Sequence, residues 1–175
     1  VADPGYNREQ ILRMMKEGAQ NHAKIMVFPE LCMTAYTCSD LFLQTALLRK
    51  AREELDRLIE ETAELDILAF VGMPWERDGK LYNTAAVFHC GKLLGLLPKI
   101  NLPNYSEFYE ARHFSRGNET PVAVSWKGEQ VLMGTNLLFH FVNVPGLVAA
   151  AEICEDVWVP CPPSISHALA GATVI

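Results

Sequence analysis

The first half of the chain alternates short apolar runs with longer segments of helical period, and this alternation restricts the fold more than any other feature. Residues 24–28 and 67–73 are apolar runs bounded by polar or proline residues, which is typical of buried strands. Residues 11–19 and 43–62 place apolar side chains at helical spacing, and the longer segment has a charged face. Alternating strands and helices predict an α/β domain.

Turn signals divide the middle of the chain into paired strands. Residues 77–80 and 91–92 are tight-turn sequences on either side of the run LYNTAAVFHC, and residues 127–128 separate two further apolar runs. A last apolar run, residues 147–153, precedes a proline-rich exit and a helix-like segment. Hairpins within such a chain predict a mixed sheet or two sheets.

Composition argues against several classes of protein. Fifteen basic and twenty-one acidic residues among 175 give a net charge of −6, and no Lys/Arg-rich run occurs, so a nucleic-acid surface is not expected. The apolar stretches are shorter than the roughly 20 residues that a membrane span needs. The five cysteines form no CxxC pair and show no CxxC…HxxxH spacing, which argues against a disulfide framework and a structural zinc site. We expect a cytoplasmic protein with neither nucleic-acid nor membrane partners.

Three apolar runs each end on a chemically reactive residue: Glu30, Lys99 and Cys154. Ligands of open α/β sheets bind beyond the strand ends, so we expect these side chains to converge there. Cys154 would attack an electrophile, and Glu30 would take the thiol proton and return it to a leaving amine. Lys99 would lower the pKa of the thiol and stabilise an oxyanion.

Each of these residues also has an ordinary structural interpretation. Glu30 would cap a turn, Lys99 would be a solvated surface lysine, and Cys154 would be a buried packing residue. For each residue taken alone, the structural interpretation is the more common one. Three reactive residues at the ends of three predicted strands together favour a catalytic group. A Cys–His mechanism with His113 as the base is a weaker alternative. The remaining cysteines are expected to be packing residues: Cys32, Cys38, Cys90 and Cys161.

The segment of residues 100–117, next to Lys99, has no regular periodicity. It carries a proline, four aromatic residues and several charges. Loops of this length within a compact domain are usually functional or disordered, and the aromatic content argues against disorder. We expect this loop to line the same pocket as the three reactive residues.

Three motifs resemble the nitrilase superfamily: FPEL at residues 28–31, LPKINLPNYSEFYEARHFSRG at residues 97–117, and EICEDVWVPCPPS at residues 152–164. More closely, they are similar to the glutamine-amidase domains of glutamine-dependent NAD synthetases, and the likeness covers most of the chain. FPEL alone is weakly specific, whereas the lysine loop and the EICED segment are specific to the synthetase branch. The resemblance implies a nitrilase-like α-β-β-α sandwich.

The resemblance also implies individual roles. The family uses a Glu-Lys-Cys triad, whose positions fall on Glu30, Lys99 and Cys154. A second family glutamate, a few residues past the lysine, corresponds to Glu107, which we expect near Lys99. The oxyanion hole would combine Lys99 with the backbone amide of Glu155. The residues expected around a bound glutamine are Tyr105, Glu107, Phe108 and Glu155.

Two features depart from the family pattern. Thr34-Ala35-Tyr36 stands where TGY is expected, and a glycine-like backbone at Ala35 would cost about 1 kcal/mol and can shift Tyr36. The family's first strand and C-terminal third are missing, so residues 1–175 are expected to form a partial carbon–nitrogen hydrolase domain. Some residues that grip the substrate would lie in the missing third, and a synthetase domain is expected downstream.

The implied function is hydrolysis of the glutamine amide through a cysteine thioester, which supplies ammonia for ATP-dependent amidation of deamido-NAD to NAD. The domain itself would need no cofactor, because ATP and magnesium belong to the synthetase domain. The expected partners are L-glutamine, the synthetase domain and further copies of the chain in an oligomer. Two alternatives stay open: a stand-alone amidase or carbamoylase of the same superfamily, and a non-catalytic fragment that retains the triad.

Overall fold

The computed structural model describes all 175 residues as three α-helices, eight strands and three 3-10 turns. The helices are α1 (Pro4–Gln20), α2 (Thr45–Glu61) and α3 (Pro163–Leu169). The strands are β1 (Ile25–Val27), β2 (Leu68–Arg77), β3 (Lys80–His89), β4 (Lys92–Pro98), β5 (Val122–Trp126), β6 (Glu129–Met133), β7 (Phe139–His140) and β8 (Val148–Ala149). The 3-10 turns are Tyr36–Leu43, Glu110–Arg112 and Cys154–Trp158. No helix combines the length and the hydropathy that crossing a bilayer requires.

Six strands form one mixed sheet in the order β1-β2-β3-β4-β6-β5. β1 runs parallel to β2 and β4 runs parallel to β6, while the other neighbours are antiparallel. β7 and β8 form a separate two-stranded antiparallel sheet. Both predicted alternatives therefore hold, because the main sheet is mixed and a second sheet accompanies it.

The two faces of the main sheet pack against different layers. On β2, Ala69 and Val71 point toward α1 and α2 and join the larger core. The alternate residues Leu68 and Phe70 point toward the second sheet, where the ring of Phe139 meets Phe70 edge-on. The period-2 alternation of the strand thus separates a helical layer from the second sheet. Buried helical residues of the larger core include Ile11, Met15, Ala51, Leu55, Leu58 and Ile59.

The run that precedes Cys154 forms less strand than its apolar sequence predicts. The strand expected over residues 147–153 is reduced to the two residues of β8. Beyond β8, the Ala150 amide donates to the Val174 carbonyl at 2.9 Å, and the Ile153 amide donates to Asp156 Oδ2 at 3.3 Å. These partners lie in a terminal segment and in a side chain, so no strand ladder continues to the cysteine.

Candidate active site

Glu30 reaches the site because the chain crosses over β2 directly after β1. Leu31 adopts a φ of 53°, a left-handed conformation that turns the chain after Pro29. The crossing lies on Gly72, where an added Cβ would be 2.3 Å from the Leu31 nitrogen and 2.5 Å from the Pro29 oxygen. The Gly72 carbonyl also accepts the Met33 amide at 3.0 Å. Because Gly72 has no side chain, the segment that carries Glu30 can pack directly on the backbone of β2.

Lys99 follows β4, and its side chain is completely buried. Its Nζ donates to Glu30 Oε1 at 2.7 Å and to Glu110 Oε1 at 2.8 Å. Burial alone would lower the pKa of Lys99, but the hydrogen bonds to Glu110 and Glu30 outweigh it and raise the pKa above its ordinary value. The ammonium is therefore charged at neutral pH. Its backbone is fixed as well, because the Lys99 amide donates to Asn83 and the Lys99 carbonyl accepts from Gly117, both at 2.8 Å.

Each carboxylate beside the lysine has a second donor. Asn83 Nδ2 donates to Glu30 Oε1 at 2.6 Å, and the Tyr36 hydroxyl donates to Glu110 Oε1 at 2.7 Å. Burial and the hydrogen bond to Glu110 raise the pKa of Tyr36 far above its ordinary value, so the phenol stays protonated. The result is a chain of contacts from Asn83 through both carboxylates and the ammonium to Tyr36.

Ala35 has the backbone conformation that was expected of a glycine. Its φ of 71° and ψ of 154° lie in a region that almost only glycine occupies. The neighbouring Tyr36 nevertheless reaches Glu110. The replacement of glycine by alanine thus leaves the contact of Tyr36 in place, and its cost is confined to local backbone strain.

Cys154 begins a 3-10 turn with a φ of 50°. A left-handed residue at this point turns the side chain away from the strand direction, as in a nucleophile elbow, and Cys154 is accessible from solvent. Partial desolvation and the charge of Glu30 raise the pKa of the Cys154 thiol, while the charge of Lys99 opposes them. The thiol is therefore electrostatically coupled to the Glu30–Lys99 pair, and its raised pKa keeps it protonated at neutral pH.

A buried carboxylate, Asp156, links the 3-10 turn of the cysteine to the end of β4. Its Oδ1 accepts the Asn101 backbone amide at 2.8 Å and Asn101 Nδ2 at 2.9 Å. Its Oδ2 accepts the Ile153 amide at 3.3 Å and the Ile100 amide at 3.4 Å. One side chain thus joins the residues just after the lysine to the residue just before the cysteine.

The loop of residues 100–117 contributes aromatic and acidic side chains around these groups. The Tyr105 hydroxyl donates to Glu155 Oε2 at 2.9 Å, and the rings of Tyr105 and Phe108 meet edge-on with centroids 5.8 Å apart. Glu107 and Phe108 line a cavity of about 230 Å³ together with Tyr36. The substrate-binding role of Tyr105, Glu107, Phe108 and Glu155 stays a prediction.

The second glutamate beside Lys99 is Glu110, and the expectation that Glu107 lies there is wrong. Glu107 is exposed, and a hydrogen bond from Ser106 lowers the pKa of its carboxyl. The sequence offers only a weak cue for Glu110, which is the apolar residue Phe114 one helical turn later. In the structure Phe114 is buried, and its amide donates to the Glu110 carbonyl at 2.8 Å. Spacing from the lysine does not distinguish two glutamates three residues apart.

His113 anchors the loop to the 3-10 turn Tyr36–Leu43. Its Nε2 lies 3.0 Å from Asp40 Oδ1, which also accepts Arg112 Nε at 2.7 Å. Its ring packs against Phe42. A Cys–His pair would require these contacts to break, so the position of His113 favours an anchoring role.

Three side chains of the site were not singled out from the sequence: Asn83, Glu110 and Asp156. Asn83 is the one that the sequence signals, because a polar residue inside an apolar strand must find a hydrogen-bond partner. Asp156 stands three residues after Ile153, the spacing at which a side chain returns to the amide of an N-cap residue.

The remaining cysteines differ in burial. Cys38 is buried as expected, and burial raises the pKa of the partly buried Cys32 to about 12. Cys90 and Cys161 are exposed, so the expectation that they are packing residues is wrong. Cys90 lies in the turn between β3 and β4, and Cys161 lies in the proline-rich exit, where the backbone leaves the core.

Comparison with known proteins identifies the family of the chain. The sequence profile of carbon–nitrogen hydrolases matches residues 1–175. The chain belongs to the carbon–nitrogen hydrolase family. The glutamine-dependent NAD(+) synthetase of Mycobacterium tuberculosis is 41% identical over 175 residues, all of this chain and 26% of the relative. That of Aquifex aeolicus is 35% identical over the whole chain and 27% of the relative. This hydrolase chain thus spans about a quarter of the length of these relatives.

Solved structures confirm the fold of this carbon–nitrogen hydrolase. A glutamine-dependent NAD(+) synthetase from Cytophaga hutchinsonii superposes with a TM-score of 0.83 at 28% identity, covering 96% of this chain and 27% of that one. An amidase from Nesterenkonia sp. superposes with a TM-score of 0.68 at 22% identity, covering 98% of this chain and 58% of that one, which shows a shared fold. The nitrilase-like α/β fold that the motifs implied is therefore confirmed.

Replacing Ala35 with glycine should stabilise the carbon–nitrogen hydrolase domain. Glycine adopts the observed backbone angles without strain, so Ala35→Gly is expected to gain about 1 kcal/mol in the free energy of unfolding. Ala51→Gly, in the middle of α2, is the matched control and should lose about 1 kcal/mol or more. Urea unfolding measures both. A loss of stability in Ala35→Gly would contradict the strain.

The alkylation rate of Cys154 should respond in opposite directions to its two charged neighbours. Glu30→Gln removes a charge that raises the pKa of the thiol, so the equilibrium fraction of thiolate should rise, and with it the rate of alkylation by iodoacetamide at pH 8. Lys99→Met removes the opposing charge, which raises the pKa further and should slow alkylation. Peptide mass spectrometry follows Cys154, with the exposed Cys161 as an internal control. Equal rates in both variants would show that neither charge acts on the thiol.

Asp156→Asn should destabilise the fold although it conserves side-chain volume. The asparagine amide group would face backbone N–H groups that the carboxylate now accepts, and each unsatisfied donor costs about 1–3 kcal/mol. Amide exchange at residues 100–101 should accelerate with the loss of stability. Asp78→Asn, in an exposed turn, is the control and should stay within about 0.5 kcal/mol of the wild type. Unchanged exchange in Asp156→Asn would refute the link between the two strand ends.

Proposed function

We propose that this domain hydrolyses the side-chain amide of L-glutamine through a cysteine thioester, with Glu30, Lys99 and Cys154 as its catalytic residues. The observation that carries the proposal is the 2.7 Å contact between Glu30 and Lys99 beside a thiol whose pKa both charges influence. A base, a cation and a nucleophile together are what acyl transfer from an amide requires. The names of the relatives support glutamine as the amide.

In the first half-reaction, the Glu30 carboxylate accepts the thiol proton while Cys154 Sγ attacks the amide carbonyl carbon. A C–S bond forms and the carbonyl electron pair moves onto oxygen. The Lys99 ammonium and the backbone amide of Glu155 stabilise this oxyanion. When the carbonyl re-forms, the C–N bond breaks, and the nitrogen leaves as ammonia with the proton that Glu30 returns.

In the second half-reaction, Glu30 is again ionised and accepts a proton from water as the water oxygen attacks the thioester carbon. The C–S bond breaks when the new tetrahedral intermediate collapses. The sulfur recovers its proton from Glu30, which yields glutamate and the resting thiol. The raised pKa of Cys154 suits this cycle, because the resting thiol is protonated and one carboxylate serves alternately as base and acid.

Glu110 and Tyr36 have a supporting role in this proposal. Glu30 becomes neutral twice in each turnover, and Lys99 would then lack a counter-charge if Glu30 were its only partner. Glu110, 2.8 Å from the ammonium, keeps the buried charge compensated throughout. The Tyr36 hydroxyl holds Glu110 in that position.

The proposal extends to the protein that contains this domain. Ammonia would pass to a synthetase domain outside residues 1–175, which would use ATP and magnesium to amidate deamido-NAD to NAD. The name and greater length of the relatives support this arrangement. The amide hydrolysis itself uses only side-chain and backbone groups, so we propose no cofactor for this domain, and we retain a homo-oligomer as part of the proposal.

The decisive experiment compares glutamine and ammonium chloride as nitrogen donors for NAD formation by the full-length protein. Cys154→Ala should lower glutamine-dependent turnover by at least about 1,000-fold, because the nucleophile is lost. Ammonia-dependent turnover should stay within about twofold, because free ammonia bypasses this domain. Cys161→Ser, at an exposed cysteine outside the site, is the matched control and should keep both reactions.

The same assay identifies the alternatives. Substantial glutamine turnover in Cys154→Ala would show that the nucleophile is misassigned. No NAD formation by the wild type with either donor, combined with hydrolysis of other amides, would identify a stand-alone amidase. A glutaminase assay on residues 1–175 then tests whether this part of the chain is catalytic by itself.

A further inference from the structure

A second group of reactive side chains lies at the other end of the main sheet, outside the candidate active site. It consists of Asp66 between α2 and β2, His89 at the end of β3, and Cys90 in the turn that follows. His89 Nε2 is 3.0 Å from Asp66 Oδ1 and 3.4 Å from Cys90 Sγ. The three donor atoms all lie within 4.8 Å of one another. One imidazole nitrogen therefore faces both a carboxylate oxygen and a sulfur.

The turn between β3 and β4 explains how two adjacent residues direct their side chains to one point. Neighbouring side chains of a regular strand point to opposite faces. Cys90 and Gly91 have φ values of 45° and 76°, the pair of left-handed residues that a two-residue hairpin turn uses. The left-handed backbone at Cys90 interrupts the alternation, so its sulfur returns to the side of His89.

A close packing contact holds this turn beside the segment that carries Asp66. Gly91 lies against Ala63, just beyond α2, and a Cβ added to Gly91 would be 3.0 Å from the Ala63 Cβ. The Cys90 thiol also donates to the Leu65 carbonyl at 3.6 Å. The approach of the three side chains therefore follows from the packing of the turn on the end of the helix.

We propose that Asp66 Oδ1, His89 Nε2 and Cys90 Sγ bind a divalent transition-metal ion, with zinc as the ion that these donors suit best. Zinc bonds measure about 2.0 Å to nitrogen and oxygen and about 2.3 Å to sulfur. In a tetrahedral site, these bonds place N and S ligands about 3.5 Å apart and N and O ligands about 3.3 Å apart. The separations here are 3.4 and 3.0 Å. Asp66 Oδ1 and Cys90 Sγ lie within 4.8 Å of each other, so rotation of their side chains would bring all three donors onto one ion, and water would complete the coordination.

The chemistry of the donors restricts the choice of ion. A thiolate, an imidazole and a carboxylate suit zinc and its neighbours, whereas magnesium and calcium take oxygen ligands. Lys24 Nζ donates to Asp66 Oδ2 at 2.5 Å, which leaves Oδ1 toward the imidazole and orients the carboxylate as an outer hydrogen bond does in metal sites. Asp66 and Cys90 are exposed and His89 is half-buried, so an ion can reach them from solvent.

The site is separate from the proposed catalytic chemistry. The seven residues of β4 span about 20 Å between the turn of Cys90 and Lys99. A bound ion would therefore join the segment before β2 to the β3–β4 hairpin and stabilise the fold, without touching the reacting groups. This inference goes beyond the proposed function and does not rest on it.

Cobalt(II) titration tests the site, because a thiolate ligand gives cobalt a charge-transfer absorption. The protein carries Cys154→Ser throughout, so that the thiol of the candidate active site does not compete. We expect one tight-binding equivalent with a thiolate band that zinc displaces. Cys90→Ser should abolish the band, and His89→Gln and Asp66→Asn should each weaken binding by at least about tenfold.

Two matched controls lie at exposed positions outside the cluster: Cys161→Ser and His22→Gln should bind as the parent does. Zinc should also raise the melting temperature of the parent and of both controls, but not of Cys90→Ser. The proposal is overturned if the parent shows no thiolate band, if the band survives Cys90→Ser, or if His89→Gln and Asp66→Asn bind as tightly as the parent.

Discussion

The buried ammonium of Lys99 is the interaction on which the rest of the candidate site depends. An ammonium removed from water is costly unless opposite charges compensate it, and Glu30 and Glu110 lie 2.7 and 2.8 Å from its Nζ. The three residues come from the exit of β1, the exit of β4 and the long loop. The lysine is therefore compensated only when these segments have met, so the same contacts that make its burial tolerable also assemble the site.

Cys154, the proposed nucleophile, is positioned by hydrogen bonds of a different kind. β8 is too short to carry Cys154 to its position by a continuous ladder, and Asp156 supplies the missing backbone partners. The three consecutive residues Cys154, Glu155 and Asp156 thus point in different directions. The first lies beside the ion pair, the second bonds Tyr105 on the outer loop, and the third is buried beneath both strand ends.

The sequence predicted the residues that lie at the ends of strands, and its predictions were wrong for residues whose positions depend on turns. Glu30 and Lys99 meet because the ends of apolar runs in one sheet reach a common edge. The expectation placed Glu107 beside Lys99, but Glu110 lies there, because in this aperiodic loop burial depends on a 3-10 turn and on its anchor to Asp40. Cys90 is exposed although it directly follows the largely buried β3, because it lies in a left-handed turn that directs its side chain away from the core.

The crossing over Gly72 bears on how distant relatives of this chain are recognised. FPEL alone is weakly specific, but a glutamate positioned in this way needs a residue without a side chain beneath it, in β2, which comes later in the sequence. Gly72 and the FPEL segment are thus two halves of one signature. A homologue that keeps the glutamate of FPEL but has a side chain at the position of Gly72 could not place the glutamate in this way, although its motif would be unchanged. The glycine is therefore the better indicator that the carboxylate occupies the site.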